Sequence, residues 1–390
     1  MNLLLSESLK SISLDQYLGL YIHVPFCRDR CTYCSFASSI DLSLEPSYIK
    51  RVVRDLKTWG NFFGRPRLDT IYLGGGTPSV LSLHSLQLIT QAIHDEFDAT
   101  DLSEATLEVN PGTLSPDWLK VLRRTGWDRI SLGIQTLDNA LLQHLGRVHS
   151  AEQAITAVKM CGDAGYNRIS ADLLIGVPEQ HLEDVMRDAA CLIEAGVEHL
   201  SIYLLDLDKQ CRLKSQIDNG LLELPTDDQV AETYQALQKQ LPHLGFIPYE
   251  ISNYSRPGHH SAHNIRYWQR RPYIGIGPSA ASNIGNLRWT ENEDIPNWIN
   301  GFNEPEIQLL SPEESLAEIP LLALRMHSGI NWRILRELAE AKGLGCLIQN
   351  WENELAPFIR HGLLQQEGEN LCLTSEGMLV SNQIFQIFVF

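Results

Sequence analysis

The chain is predicted to fold as an α/β protein with a parallel sheet at its centre and a small unit of helices and a β-hairpin at its C-terminal end. Two observations predict the sheet. Between residues 18 and 205, short apolar and β-branched runs alternate six times with longer amphipathic runs, as in successive β–α units. Polar or glycine-rich sequences follow five consecutive strands, and strand ends are where α/β folds collect their chemistry. From this pattern alone, the sheet can be doubly wound or curled into a barrel.

The elements of the sheet region follow in chain order. Strands are predicted at 18–24, 70–73, 105–109, 129–134, 168–174 and 199–205. Helices are predicted around 46–60, 81–97, 115–125, 138–145, 151–164 and 182–195. Ser82 and Ser115 stand where helix N-caps are expected, and Gly126, Gly165 and Gly196 stand where helices are expected to end.

The rest of the chain departs from this alternation. After a polar helix at 226–240 comes a stretch rich in histidine and aromatic residues, which predicts an α+β extension. Two further helical runs and a hairpin that turns near Gly368 then predict a winged-helix-like domain. The predicted parts are an N-terminal lead, 1–17, the sheet domain, 18–205, the extension, 206–311, and the C-terminal domain, 312–390.

Charge and composition narrow the classes of partner. The 31 basic and 48 acidic residues give a net charge of −17, which disfavours nucleic acid and anionic membrane as partners. The C-terminal domain has 5 basic and 10 acidic residues from position 313 onward, so we predict a lid or docking module rather than a DNA-binding domain. The chain start lacks the features of a signal peptide, and no run is long enough to span a membrane. A reducing, cytoplasmic location is therefore expected.

Three cysteines lie within eight residues, directly after the first predicted strand. Cys27, Cys31 and Cys34 are expected to converge on one centre, and thiolates are ligands of zinc and of iron–sulfur clusters. Structural zinc sites usually use two spaced pairs of ligands, and the chain has no second cysteine pair. A cluster with three protein-bound irons and one open iron fits better. Zinc and unligated thiols remain alternatives, while the other five cysteines are expected to be core residues rather than disulfides.

The Cys-x3-Cys-x2-Cys spacing and the surrounding YIHVPFC resemble the radical S-adenosylmethionine (SAM) superfamily. The resemblance is to the branch that contains oxygen-independent coproporphyrinogen III oxidases and HemW heme chaperones, and it extends from about residue 18 to 385. It implies a six-strand (βα)6 partial barrel of the radical SAM type. It also implies a [4Fe–4S] cluster on the three cysteines, with SAM chelated by the open iron.

The resemblance places a SAM site at the strand ends. The implied contacts are Tyr21, Tyr33, Gly75, Gly76, Thr77, Glu108, Gln135, Arg147 and Asp172. Without the resemblance, these residues can be explained by structural roles alone. The glycine run can be a flexible βα turn, Tyr21 can be a packing residue, and Asp172 can bond a neighbouring loop. No side chain is implied to act as a general acid or base.

The extension carries the residues that point to heme. The segment 249–254 and HNIRYW at 263–268 are similar to segments shared by HemW proteins. This similarity implies a heme contact through His263, as an axial imidazole, with Tyr267 and Trp268 beside the porphyrin. The neighbouring arginines 266, 270 and 271 could bind propionates or simply face solvent, and His263 could equally be a structural residue.

Three features favour a heme chaperone over the oxidase. The oxidase pattern has a fourth cysteine two residues after the third, and here that position is Phe36. The lead before the first strand is also short, and HNIRYW is present. The resemblance therefore implies a chaperone that transfers heme to heme-accepting proteins and lacks coproporphyrinogen III dehydrogenase activity. The oxidase is the alternative, and a tRNA-modifying enzyme is disfavoured by charge. The protein is expected to be a monomer or dimer, and any membrane association would come through its partners.

Overall fold

The computed structural model describes residues 9, 17–207, 209–302 and 304–389. The predicted lead, 1–17, lies outside these residues apart from Leu9 and Tyr17. Leu9 is buried in the main hydrophobic core.

A mixed sheet of twelve strands forms the body of the described chain. The strands are β1 (Leu18–Val24), β2 (Leu68–Gly75), β3 (Glu104–Val109), β4 (Arg129–Gln135), β5 (Ile169–Ile175), β6 (His199–Leu204), β7 (Ile247–Pro248), β8 (Asn253–Ser255), β9 (Tyr273–Ile276), β10 (Ala281–Ile284), β11 (Leu287–Thr290) and β12 (Glu306–Leu309). Their order across the sheet is β12-β11-β10-β9-β1-β2-β3-β4-β5-β6-β8-β7. The strands from β9 to β6 run parallel, and antiparallel strands extend both edges.

Helices connect and cover the strands. They are α1 (Glu45–Phe62), α2 (Leu83–Glu96), α3 (Pro116–Arg124), α4 (Asn139–His144), α5 (Ala151–Asp163), α6 (Leu182–Ala195), α7 (Arg212–Asp218), α8 (Asp227–Gln240), α9 (Ala262–Trp268), α10 (Ile295–Asn300), α11 (Pro312–Ala323), α12 (Trp332–Ala341), α13 (Gly345–Arg360), α14 (Ser375–Leu379) and α15 (Ser381–Phe385). Short 3₁₀ turns lie at Leu42–Leu44, Pro78–Val80, Pro111–Thr113, Leu241–Leu244 and Gln386–Phe388. The predicted caps are present, since the side chains of Ser82 and Ser115 accept the backbone N–H groups of Ser85 and Trp118. The predicted series of six β–α units is confirmed.

The sheet is wider than the six strands predicted. β9, from the extension, pairs in parallel with β1, from Gly19 opposite Tyr273 to Ile22 opposite Ile276. The six strands of the extension thus join the same sheet as β1–β6. They have only two to four residues each, which is too short for a periodic pattern to reveal them in the sequence.

The two faces of the central sheet differ in polarity. In β1, the alternate residues Leu18, Leu20, Ile22 and Val24 are fully buried on the outer face, under the helices. Burial of each such side chain contributes roughly 2 kcal/mol. The opposite face, which we call the inner face, carries polar residues, Tyr21 among them. This division places the polar chemistry on one face of the sheet.

Helix α9 closes the inner face at the N-terminal ends of the strands, and we call it the plug helix. The Glu104 carboxylate on β3 is 1% exposed and accepts the N–H groups of Ala262 (2.7 Å) and His263 (3.3 Å) at the start of this helix. The same carboxylate binds the Arg168 guanidinium at 2.9 Å. Further along the helix, buried Arg266 pairs with Asp69. These bonds fix the plug helix against β2 and β3.

The C-terminal unit combines helices with a small separate sheet that includes the predicted hairpin. Its three-stranded sheet has the order β13-β15-β14, with strands β13 (Ile330–Asn331), β14 (Leu364–Glu367) and β15 (Asn370–Leu373). Gly368 turns the hairpin with φ of +63°. Arg325 lies over the rings of Trp268 (5.1 Å) and Phe385 (4.9 Å), so this unit is attached directly to the plug helix. Within the described ranges, none of the helices has the length and apolar character needed to cross a bilayer.

Candidate functional site

The cysteine loop follows β1 and is held by backbone hydrogen bonds. The Cys27 N–H donates to the Ser39 carbonyl at 3.0 Å, and the Thr32 N–H donates to the Leu145 carbonyl at 3.0 Å. The Thr32 hydroxyl also donates to the His144 carbonyl at 2.7 Å. The three thiols are partly exposed and free of disulfides. The loop therefore presents its thiols from a fixed backbone at the C-terminal end of the sheet.

Arg147 brings a positive charge to these thiols. Its Nη1 donates to the Cys31 sulfur at 3.3 Å, and its Nη2 donates to the Asn110 Oδ1 at 2.6 Å and to the Gly133 carbonyl. Burial raises the pKa of the Cys27 thiol, and the hydrogen bond from the Thr77 hydroxyl (3.5 Å) opposes this. Burial likewise raises the pKa of the Cys34 thiol, against a bond from the Phe36 amide. A guanidinium beside thiols favours their thiolate forms, which are the metal-binding forms.

The donor set at the cysteine loop consists of three thiols, one of which is bonded to a guanidinium. In a [4Fe–4S] cluster each thiolate binds a different iron. Three cysteines and the adjacent arginine fit such a cluster.

The glycine-rich loop after β2 packs against the strand that leads into the cysteines. A Cβ at Gly75 would lie 2.4 Å from the His23 ring, and one at Gly76 would lie 2.7 Å from the Val24 and Phe26 carbonyl oxygens. Gly75 also has φ of +103°. Only glycine fits these positions, because any side chain would push the loop away from β1. The loop is thus a close-packed wall of the site rather than a flexible turn.

Two carboxylates lie on the inner face below this loop. Glu108 accepts the Tyr72 hydroxyl at 2.6 Å and the Gly75 N–H at 2.9 Å, and burial raises its pKa despite these bonds. Asp172 accepts the Ser131 hydroxyl at 3.2 Å. Burial, followed by the charge of Glu108, raises the pKa of Asp172 to about 7. Two neighbouring acids that resist ionisation favour a positively charged ligand, which would relieve their repulsion.

The remaining predicted SAM contacts divide into two groups. Gln135 adopts φ of +74° at the end of β4, an unusual conformation for a residue other than glycine. A Cβ at Gly133 would lie 3.3 Å from both Gln135 and Arg147, so both side chains reach the same glycine of β4. The Tyr21 hydroxyl bonds the His23 Nδ1 at 3.0 Å on the inner face. Tyr33 instead packs in an apolar cluster around Leu141, beside the cysteine loop.

Sequence reasoning missed two residues that join the parts of the site. Asn110 donates to the Thr77 hydroxyl at 2.9 Å and accepts from Arg147, so it links the glycine-rich loop to the arginine beside Cys31. His23 is buried, and its Nε2 bonds the Ala37 carbonyl at 3.0 Å across the cysteine loop. Asn110 stands in the NPG motif after β3, and His23 stands in the YIHVPFC motif around β1. Membership in these motifs is the sequence feature that could have identified both residues as part of the site.

The predicted heme residues lie at the opposite end of the inner face from the cysteines. His263 is 0% exposed, its Nδ1 bonds the Thr70 hydroxyl at 2.9 Å and its Nε2 bonds the Tyr267 hydroxyl at 2.8 Å. Burial, with a smaller effect of Arg129, lowers the pKa of His263 to about 3. Both ring nitrogens are engaged, so iron ligation by this imidazole requires those bonds to break. Trp268 stacks with Arg325, away from the cysteine loop.

The three arginines that the sequence left open as propionate contacts or solvent-facing residues are engaged in ion pairs. Arg266 and Arg271 both bind Asp69, the latter at 2.9 Å, and Arg270 binds Glu318. The roles of His263, Tyr267 and Trp268 toward heme stay predictions.

The geometry and the sequence comparisons agree on the class of protein. Residues 21–192 match the profile described as the radical SAM superfamily, and residues 310–380 match the one described as the HemN C-terminal domain. Proteins named heme chaperone HemW are similar over nearly the whole chain. The one from Lactococcus lactis is 33% identical over 95% of this chain and 96% of its own, and the one from Bacillus subtilis is 31% identical over 95% and 98%. The chain belongs to the HemW family of radical SAM proteins.

A solved structure supports the fold. Coproporphyrinogen III oxidase (HemN) from Escherichia coli, described as a radical SAM enzyme, superposes with a TM-score of 0.86. The match covers 100% of this chain and 93% of the other, at 18% identity. This likeness establishes the shared fold of the core and the C-terminal unit.

Proposed function

We propose that the protein is a heme chaperone, which binds heme and passes it to heme-accepting proteins while holding a [4Fe–4S] cluster and SAM. The observation that carries the proposal is the similarity to proteins named heme chaperone HemW, which covers about 95% of the chain. Phe36 at the position of the oxidase's fourth cysteine supports it.

The chain's own residues suit a cluster and SAM. Cys27, Cys31 and Cys34 would hold the cluster, which supplies an electron and an open iron for SAM when it is bound. Arg147 would stabilise the thiolates. The glycine-rich loop offers backbone groups close to the cysteines, and the acidic inner face would attract the sulfonium and ammonium groups of SAM.

Coproporphyrinogen III oxidase is the second candidate, because the fold matches HemN along the full chain. A direct test uses protein reconstituted anaerobically with iron and sulfide, with SAM and a reductant. We expect hemin to bind with a stable absorbance change, and we expect no decarboxylated product from coproporphyrinogen III. Heme transfer to an apo-acceptor protein would complete the assignment. Turnover of coproporphyrinogen III would overturn it and make Phe36 a tolerated variation in an oxidase.

SAM affinity is expected to increase with pH below about pH 7. Asp172, whose pKa is raised to about 7, is largely protonated at lower pH and attracts a cation only when ionised. Binding then releases a proton, so affinity rises by up to about tenfold per pH unit and levels off above pH 7. Equilibrium titrations with SAM at three pH values would measure this slope. Asp172→Asn should bind more weakly and lose the pH dependence, and a variant that kept the same slope would contradict the assignment to Asp172.

We further propose that the protein works in the reducing cytoplasm without nucleic-acid partners. All eight cysteines are free thiols, and the net charge of −17 supports the second part.

A further inference from the structure

Arg129 is a buried cation on the inner face of the sheet. Two arginines of the described chain are almost fully buried, Arg129 at 2% exposed and Arg266 at 0%. Arg266 pairs with Asp69, whereas Arg129 forms no ion pair within 4.0 Å among the described residues. The hydrogen bond from its Nη1 to the Thr106 hydroxyl is long, at 3.5 Å. A buried guanidinium with five N–H donors needs more than this one contact to offset its burial.

The acid that acts most strongly on Arg129 is Glu104, and its carboxylate is already occupied. It binds the Arg168 guanidinium at 2.9 Å and accepts two N–H groups at the start of the plug helix. The charge of Glu104 is therefore neutralised in the first place by Arg168. Arg129 is left available for a second anion.

Arg129 lies on β4, in the middle of the inner face, and its charge reaches side chains on four other elements. Burial, followed by the charge of Arg129, lowers the pKa of His199 on β6 and of His263 on the plug helix. Burial raises the pKa of Glu108 on β3 and of Asp172 on β5, and the charge of Arg129 is among the effects that oppose this. The guanidinium is thus situated between these elements rather than at the edge of the sheet.

Aromatic rings form a continuous row on the same face. The ring centroids of Tyr21 and Tyr72 are 6.2 Å apart. Tyr72 stacks with His263 at 5.2 Å, and His263 contacts Tyr267 edge-on at 5.0 Å. We call these four residues the aromatic row. It begins on β1 and ends on the plug helix, so it can lie along one side of a flat ligand.

The register of the sheet places the aromatic row beside Arg129. Tyr72 on β2 pairs with Thr106 on β3, and Thr106 pairs with Arg129 on β4. The three side chains form one line across the inner face. Toward the C-terminal ends of the strands, Tyr72, Glu108 and Asp172 are only half-buried, so a ligand can reach this line from that side.

We propose that Arg129 binds a carboxylate group at the inner face, and that this group is a propionate of heme whose ring lies along the aromatic row. The inference rests on the proposed chaperone function and deepens it by naming the residue that recognises the acidic part of the cargo. The arginines of the plug helix and of the turn after it are already held by Asp69 and Glu318. SAM also has a carboxylate, and the test separates the two sources.

Hemin and hemin dimethyl ester measure the contribution of the carboxylates. The protein, reconstituted with its cluster, is titrated with each ligand, and binding is followed by quenching of tryptophan fluorescence. Because the ester lacks free carboxylates, wild type should bind hemin about tenfold or more tightly than the ester. Arg129→Gln should bind both with equal affinity. Arg129→Lys keeps the charge without the two-pronged geometry and should retain part of the preference.

Arg168→Gln is the matched control, because it removes the other cation that acts on Glu104. If Arg129 only neutralised Glu104, the two glutamine variants would behave alike. We expect Arg168→Gln to have a lower thermal midpoint and to keep the full preference for hemin over the ester. Cluster absorbance and near-UV circular dichroism verify that each variant is intact.

The possible results separate this inference from the proposed function. Equal affinity of the wild type for hemin and its ester would overturn the inference even if Arg129→Gln failed to fold. A preference for hemin that persists in Arg129→Gln would overturn it and leave the chaperone function in place. If Arg129→Gln instead lost the discrimination between SAM and decarboxylated SAM, the carboxylate site would belong to SAM and the assignment to heme would be wrong. Failure of the wild type to bind hemin would overturn the chaperone function as well.

Discussion

Replacement of Arg147 by leucine is expected to abolish retention of the iron–sulfur cluster while the fold persists. The guanidinium is the one cation bonded to a cysteine sulfur among the described residues, and it also ties Asn110 to the Gly133 carbonyl. Its removal takes away the cation that is bonded to the Cys31 sulfur and lies close to the other two thiols. Loss of the charged partner of a buried group costs about 3–5 kcal/mol, which corresponds to at least about 100-fold weaker retention.

The measurement is iron and sulfide content after anaerobic reconstitution, followed by the rate of cluster loss to a chelator. Arg147→Lys is the matched control, because it keeps the charge and loses the two-pronged geometry. We expect it to retain the cluster with intermediate lifetime. If the cluster of the leucine variant were lost at the wild-type rate, Arg147 would not contribute to its retention.

Glu104→Ala is expected to cause a large loss of stability at a position away from the cysteines. The carboxylate caps the plug helix and binds Arg168 with a side chain that is 0% exposed. Its removal takes the acceptor from two N–H groups in the first turn of the helix, and it leaves the partly buried Arg168 with Asp128, at 3.0 Å, as its remaining ionic partner. The expected cost is about 3–5 kcal/mol, and the thermal midpoint should fall by at least about 5 °C.

Differential scanning fluorimetry of the wild type, Glu104→Ala and Glu104→Gln provides the comparison. The glutamine variant keeps an oxygen acceptor for the helix N–H groups and loses the charge, so its midpoint should lie between the other two. Limited proteolysis should cut the alanine variant first near the plug helix. An unchanged midpoint in the alanine variant would mean that Arg266 and Asp69 hold the plug helix without Glu104.

The elements that could be predicted from the sequence are those that depend on residues close together in the chain. β1 to β6 could be predicted because their apolar outer residues, such as Leu20 and Ile22, alternate with polar inner ones or form short buried runs. The cysteines and the glycine-rich loop were visible because close spacing in sequence implies closeness in space. Thr77 and Arg147 came from resemblance alone, since contacts between distant loops leave no periodic trace.

Other features depended on tertiary context. The four residues of β9 pair with a strand more than 240 positions earlier, and no local pattern marks that pairing. His263 looked available in the sequence, yet Thr70 and Tyr267 occupy both of its nitrogens in the folded chain. Asn110 was not among the predicted contacts, because its bonds to Thr77 and Arg147 join loops that are distant in sequence.

The pairing of β9 with β1 has a consequence for synthesis of the protein. The first strand and the cysteines leave the ribosome early, but their neighbour β9 and the plug helix are made about 250 residues later. At 5–20 residues per second, roughly 10–50 s pass before that edge of β1 is covered. During this interval the nascent chain carries three reactive thiols next to an uncovered strand edge. Protection of the early half of the molecule during synthesis would therefore have to cover both the thiols and this strand edge.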